Sequence, residues 1–101
     1  MSISIDTKDY TTRISISGRF DFQIHRDFKD AYIASLENPA IREFEIELSG
    51  VEYLDSSALG MLMLLRERAK AAGKVVMLVR PNPVIVEILD IANFNKLFKI
   101  L

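Results

Sequence analysis

Leu54-Asp55-Ser56-Ser57-Ala58-Leu59-Gly60 joins two stretches of different period. Before it, Phe44-Glu45-Ile46-Glu47-Leu48 alternates apolar and acidic residues, the two-residue period of a strand with one buried face. After it, the segment from Ala58 to Ala72 has no proline and a single glycine near its start, which predicts a long helix. Asp55, Ser56 and Ser57 therefore stand at a helix N-terminus. The first N–H groups of a helix lack intrahelical acceptors and carry part of a positive charge, so an anion is stabilised there. At about 100° per residue, Met61, Leu62, Leu65, Ala69 and Ala72 form one apolar face. Ser56 extrapolates to the opposite side with Gly60, Met63 and Glu67, and Ser57 to the flank of the core face. Ser56 is thus the exposed hydroxyl, and Met63 with Leu59 and Leu64 makes its side more apolar than a helix facing only water requires. Two readings of the junction stand side by side: plain capping, for which Asp and Ser are well suited, and a modifiable serine beside a partner surface.

Working outward, Ile3, Ile5, Ile14 and Ile16 alternate with polar residues around a turn near Lys8 to Thr11, predicting an antiparallel hairpin whose first strand begins at Met1-Ser2-Ile3. Gly18 is read as the end of the second strand. Ile24, Phe28, Ala31, Tyr32 and Leu36 recur at helical spacing until Asn38-Pro39 stops them. Phe44 to Leu48 forms the third strand, and its acidic face predicts a sheet open to water on one side with helices on the other. Lys74 to Val79 is a continuous apolar run, predicting a more completely buried strand. Asn82 caps a further helix with Pro83 at its first position, running toward Asn93. Leu97 to Leu101 is an edge strand or a docked tail. The fold class is α/β, a single mixed β-sheet of four to five strands covered by helices.

With 101 residues, half of them hydrophobic, the chain fits one domain spanning 1–101. Thirteen basic and 14 acidic residues are interspersed and give a net charge of −1, which leaves no electrostatic footprint for nucleic acid or an anionic membrane. The chain has no cysteine, so disulfides and thiolate metal sites are excluded. It shows neither the plan of a signal peptide nor an apolar run near the ~20 residues of a membrane span. A cytoplasmic domain, monomeric when unbound, is expected.

Nearly the whole chain resembles a STAS domain of the bacterial anti-sigma factor antagonist (anti-anti-sigma factor) family. The resemblance rests on the Leu54 to Gly60 motif, on Gly18-Arg19-Phe20-Asp21 upstream, and on Asn82-Pro83-Val84 with Leu89, Phe94 and Phe98 downstream. It implies the STAS fold and a partner switch that regulates transcription. The unphosphorylated protein would bind an anti-sigma factor with serine kinase activity and release the regulator held by that factor. Phosphorylation of Ser56 would break the complex, and a PP2C-type phosphatase would restore it. Asp21, Asp55 and Ser57 form the implied phosphosite environment, and Leu59, Gly60 and Met63 the partner surface. Ala58 stands where the family usually has Gly, and Glu47 where it often has Asp; neither change removes the acceptor hydroxyl. STAS domains also serve as unphosphorylated subunits of ABC-type transporter assemblies, which is the alternative function.

Other constellations imply less. His25 is the only histidine, and without a Gly-x-Ser-x-Gly elbow a Ser-His-Asp hydrolase is disfavoured, leaving a surface residue at a helix start. No metal-ligand spacing occurs and no cofactor is implied. A nucleotide-binding STAS domain would need a phosphate loop that is absent here, so the chain reads as a kinase substrate and not an enzyme. Arg66-Glu67-Arg68-Lys70 is either a solvated face or the flank of a partner site.

Overall fold

A computed structural model describes residues 2–101; Met1, the start of the predicted first strand, lies outside them. Strand β1 (Ser2–Lys8) turns at Asp9 and Tyr10 into β2 (Thr11–Phe20), antiparallel, with Lys8 paired to Thr11. A 3₁₀ turn (Phe22–Ile24) leads into α1 (His25–Glu37), followed by β3 (Glu43–Leu54), α2 (Ser56–Ala71), β4 (Val75–Val79) and α3 (Pro83–Ile91). A second 3₁₀ turn (Phe94–Lys96) precedes β5 (Lys99–Ile100), so the C-terminal segment is an edge strand. The sheet order is β1-β2-β3-β4-β5, with every pair after the hairpin parallel. Three crossovers step across the sheet in one direction, and crossovers of this kind are right-handed. All three helices therefore land on the same face, and the other face stays open.

That asymmetry explains the burial. Ile14 and Ile16 of β2, Phe44, Ile46 and Leu48 of β3, and Val76 and Leu78 of β4 point into the helical layer. They meet Phe28 and Tyr32 of α1, Ala58, Leu62, Leu65 and Ala69 of α2, and Ile85 and Leu89 of α3. The open face carries polar cross-strand pairs. Thr11 Oγ1 donates to Glu43 Oε1 at 2.7 Å, and Arg13 pairs with Glu45 at 2.7 Å, each between residues in direct register. Glu47 is held by Arg80. Burial pushes the Glu47 carboxyl up, but hydrogen bonds from Arg80 and Ser49 outweigh it and leave the carboxyl below its ordinary value.

Four predictions are corrected by this arrangement. β2 does not end at Gly18, which adopts φ +83 at a register break and lets the strand run on to Phe20. β3 is not confined to Phe44 to Leu48. It continues to Leu54 because Gly50 allows close approach: a Cβ there would lie 3.0 Å from the Ser17 Cβ. β4 alternates instead of being buried throughout, since Val75 faces the side without helices and is 57% exposed. On α2 the core face is Ala58, Leu62, Leu65 and Ala69; Met61 is half-buried and Ala72 is exposed, the latter lying just beyond the helix. The buried Lys74 at the start of β4 donates to the carbonyls of Asn38 (2.9 Å) and Ile41 (2.6 Å), fixing the loop after α1.

Candidate functional site

The two register breaks matter because they bring Phe20 opposite Leu54 at the carboxyl ends of β2 and β3. The residues that follow, Asp21 and Asp55, thus leave adjacent strands, whose spacing is about 5 Å. Each leaves in an extended conformation and caps the helical segment after it. Asp21 Oδ1 accepts from Gln23 N at 3.0 Å, and Asp55 Oδ1 from Ala58 N at 3.0 Å. At the end of β4, Asn82 Oδ1 accepts from Ile85 N at 3.0 Å while its Nδ2 donates to Val51 O at 2.9 Å. The sequence pointed to a cap at Asn82 and left Asp55 among several cap residues; the capping role of Asp21 was not foreseen.

Because Asp55 is the cap, the serines are free of that duty. Ser56 is the first residue of α2 and is exposed; Ser57 is half-buried. Among the described residues neither hydroxyl makes a hydrogen bond to protein, and the N–H groups of Ser56 and Ser57 have no intrahelical acceptor. The Ser56 hydroxyl thus directly follows the capping Asp55 at a helix start whose first N–H groups are open, and Asp21 leaves the end of the adjacent strand. An added phosphate would meet both attraction and repulsion there.

Gly60 faces open space: a Cβ built on it meets nothing within 4 Å. Leu59 and Met63 are half-buried and rest against the core, so less of their surface is free than the helical wheel suggested. The continuous apolar surface lies on the other flank of Gly60. There a cavity of about 370 Å³ separates α1 from α2, lined by Phe22, His25 and Tyr32 on one wall and Ser57, Met61 and Leu64 on the other. Phe22 is 62% exposed and Leu64 47% exposed. The His25 ring stacks on Phe22 with centroids 4.2 Å apart, and its Nδ1 lies 2.8 Å from the Phe22 carbonyl. Sequence reading missed this groove; an apolar Phe22 directly after the Asp21 corner was its one signal. Arg19, also unassigned, lies over the Tyr53 ring at 4.1 Å with Nε 3.4 Å from Asp21 Oδ2. None of the described helices is long and apolar enough to cross a membrane.

Residues 3–101 match the family model described as "Mlab, STAS domain". The chain is 45% identical over 97 residues to the STAS-domain containing protein PA14_20770 of Pseudomonas aeruginosa, covering 96% of this chain and 92% of that one. Among solved structures it is similar to a putative anti-sigma factor antagonist of Thermotoga maritima, with TM-score 0.86, 21% identity, and coverage of 97% and 84%. It is also similar to SpoIIAA of Bacillus in its phosphorylated form, with TM-score 0.77, 13% identity, and coverage of 99% and 91%. At these identities the structural likeness shows the fold.

Proposed function

Since the chain belongs to the STAS domain family, we propose that it is the phosphorylatable member of a partner switch, an anti-sigma factor antagonist controlled at Ser56. In this reading the unphosphorylated protein binds an anti-sigma factor with serine kinase activity in the cytoplasm and releases the transcription regulator that factor sequesters. A PP2C-type phosphatase resets the switch. The protein acts as substrate and binding partner, without catalysis of its own.

One observation carries the proposal. The Ser56 hydroxyl is exposed at the start of α2, is engaged by no described residue, and is relieved of capping by Asp55. Support comes from structural neighbours described as anti-sigma factor antagonists, one of them as a phosphorylated form. The physical step is local. A phosphoserine adds about −1.5 to −2 charge and strongly hydrated oxygens to a surface that binding must desolvate. A loss of only ~3 kcal/mol at the interface weakens binding more than a hundredfold.

The test combines phosphopeptide mapping of the native protein with side-by-side affinity capture by Ser56→Ala and Ser56→Asp variants. Phosphate on Ser56, with a kinase-like partner retained by the alanine variant and lost by the aspartate variant, supports the switch. An unmodified Ser56, with the same transporter subunits on both variants, replaces it with the transporter-subunit reading.

A further inference from the structure

The two edges of the sheet differ in kind. β5 is two residues long and carries Lys99, and short length and lysine are features by which sheet edges are closed to further pairing. β1 is seven residues long, contains neither proline nor a bulge, and pairs with β2 in unbroken register from Ser2 opposite Ser17 to Lys8 opposite Thr11. It is the outermost strand, and apart from half-buried Ile3 every residue of it is exposed.

The hairpin register fixes which backbone groups are open. With Asp9 and Tyr10 as a two-residue loop, the closing pair Lys8 and Thr11 exchanges hydrogen bonds, and bonded pairs then alternate along the ladder. Lys8, Asp6, Ser4 and Ser2 therefore direct their N–H and C=O groups to β2. Ile3, Ile5 and Thr7 direct theirs outward, to no partner among the described residues. The side chains of Ile3 and Ile5 lie on the helical face of the sheet, opposite the buried Ile16 and Ile14. Ile5 is 53% exposed and with Ile3 floors a cavity of about 300 Å³, whose wall is formed by Asp27 and Asp30 of α1. Asp27 lies in the first turn of α1, where helix electrostatics favours an acid, but Asp30 lies beyond that turn. Among the described residues neither carboxylate has a cation within ion-pair distance, although Arg26 and Lys29 belong to the same helix.

An open edge, an apolar floor and an acidic wall thus lie together. A second copy of this chain is a poor occupant, because two-fold pairing through β1 would bring both copies of Asp27 and Asp30 to one seam, like charge against like. We propose that β1 and this cavity receive an extended basic segment of a partner protein, added to the five-stranded sheet as a further strand. Running antiparallel to β1, it exchanges backbone hydrogen bonds with Ile3, Ile5 and Thr7 and lays an apolar side chain over Ile5. A Lys or Arg two residues along, on the same face, reaches Asp27 and Asp30. Backbone pairing supplies affinity, and the charged wall selects the segment. The site lies two strands from β3 and does not depend on the proposed switch at Ser56.

The test is an NMR titration of the unphosphorylated protein with the capped synthetic peptide Thr-Lys-Thr-Val-Thr-Lys-Thr, and with its counterpart carrying Glu for Lys. The expected result is saturable shifts along β1 with a Kd below about 1 mM, and none with the glutamate peptide. Amide hydrogen exchange slows at Ile3, Ile5 and Thr7, while Ser4 and Asp6, already bonded to β2, change little. Reversing the wall with Asp27→Lys and Asp30→Lys together weakens the lysine peptide at least tenfold, whereas Glu87→Lys with Asp90→Lys, exposed on α3, leaves it unchanged. Ile5→Pro, which removes an outward N–H and no bond to β2, abolishes binding. The proposal is overturned by absence of saturable shifts at several-fold that concentration, by shifts without slowed exchange at those outward amides, or by equal binding of the glutamate peptide. Binding that survives the reversed wall overturns it as well. So does a dimer of the protein alone in sedimentation equilibrium with the same amides protected, which would seat a second copy on the edge.

Discussion

Replacing Gly60 with alanine is expected to stabilise the fold while impairing partner binding, because the position is helical, open and beside Ser56. Gly60 is the fifth of sixteen residues in α2, and an added Cβ meets nothing within 4 Å. The substitution therefore gains helix propensity without steric cost, about 0.5–1 kcal/mol. For a domain of this size each kcal/mol shifts Tm by roughly 4–8 °C, so the expected rise is about 2–8 °C. Thermal unfolding followed by far-UV circular dichroism measures it. An unchanged or lowered Tm would mean that the space beside Gly60 is occupied or that its helical geometry is strained, and the reasoning fails. Gly60→Leu extends the test into the groove between Phe22 and Leu64. Leucine is nearly as good a helix former as alanine, so the variant should fold, yet its side chain fills part of a cavity that a partner would enter. Wild-type affinity of Gly60→Leu for the captured partner would remove this groove from the interface.

Asn82→Ala loses both the cap on Ile85 N and the bond to the buried Val51 carbonyl, for a cost of about 2–3 kcal/mol by urea denaturation. Asn82→Asp keeps the cap but not the donor, and should fall between wild type and alanine. The Glu47 carboxyl lies below its ordinary value of 4.5 in the folded state, so its stabilisation is present above that pH and lost as pH falls through the folded value. Glu47→Gln should accordingly flatten the acid limb of a stability-versus-pH profile below about pH 5. Asp55→Ala should cost ~1 kcal/mol through the lost cap, whereas Ser56→Asp should stay within about 0.5 kcal/mol of wild type, both read from urea midpoints. Equal costs at the two positions would make Ser56 a structural residue.

What could be read from the sequence depended on whether a signal was local. The hairpin, the Asn82-Pro83 helix start and the Pro39 stop each follow from a few adjacent residues, and the structure has them where expected. Strand ends were misplaced where glycine acts through a neighbouring strand: Gly18 reads as the end of β2 and Leu48 as the end of β3, yet Gly18 and Gly50 let both strands continue through register breaks. The Ser56 position followed from angular spacing alone, since a helix start is local. The groove was hidden because one wall belongs to α1 and the other to α2, and no spacing within either helix reports the gap between them.

For the proposed switch, what matters at Ser56 is a division of labour along nine residues. Leu54 ends the strand in the core, Asp55 holds the first turn, and Ala58 and Leu62 anchor the helix to the sheet. The positions between and beside them, Ser56 and Gly60, carry no part of that load. Charge added at Ser56 therefore acts on what approaches the surface and leaves the packing beneath it intact. Had the serine been the cap, phosphorylation would have coupled binding to helix stability, and a switch between partners would also have been a switch between folded and frayed α2. Placing the cap one residue earlier, on Asp55, separates the two.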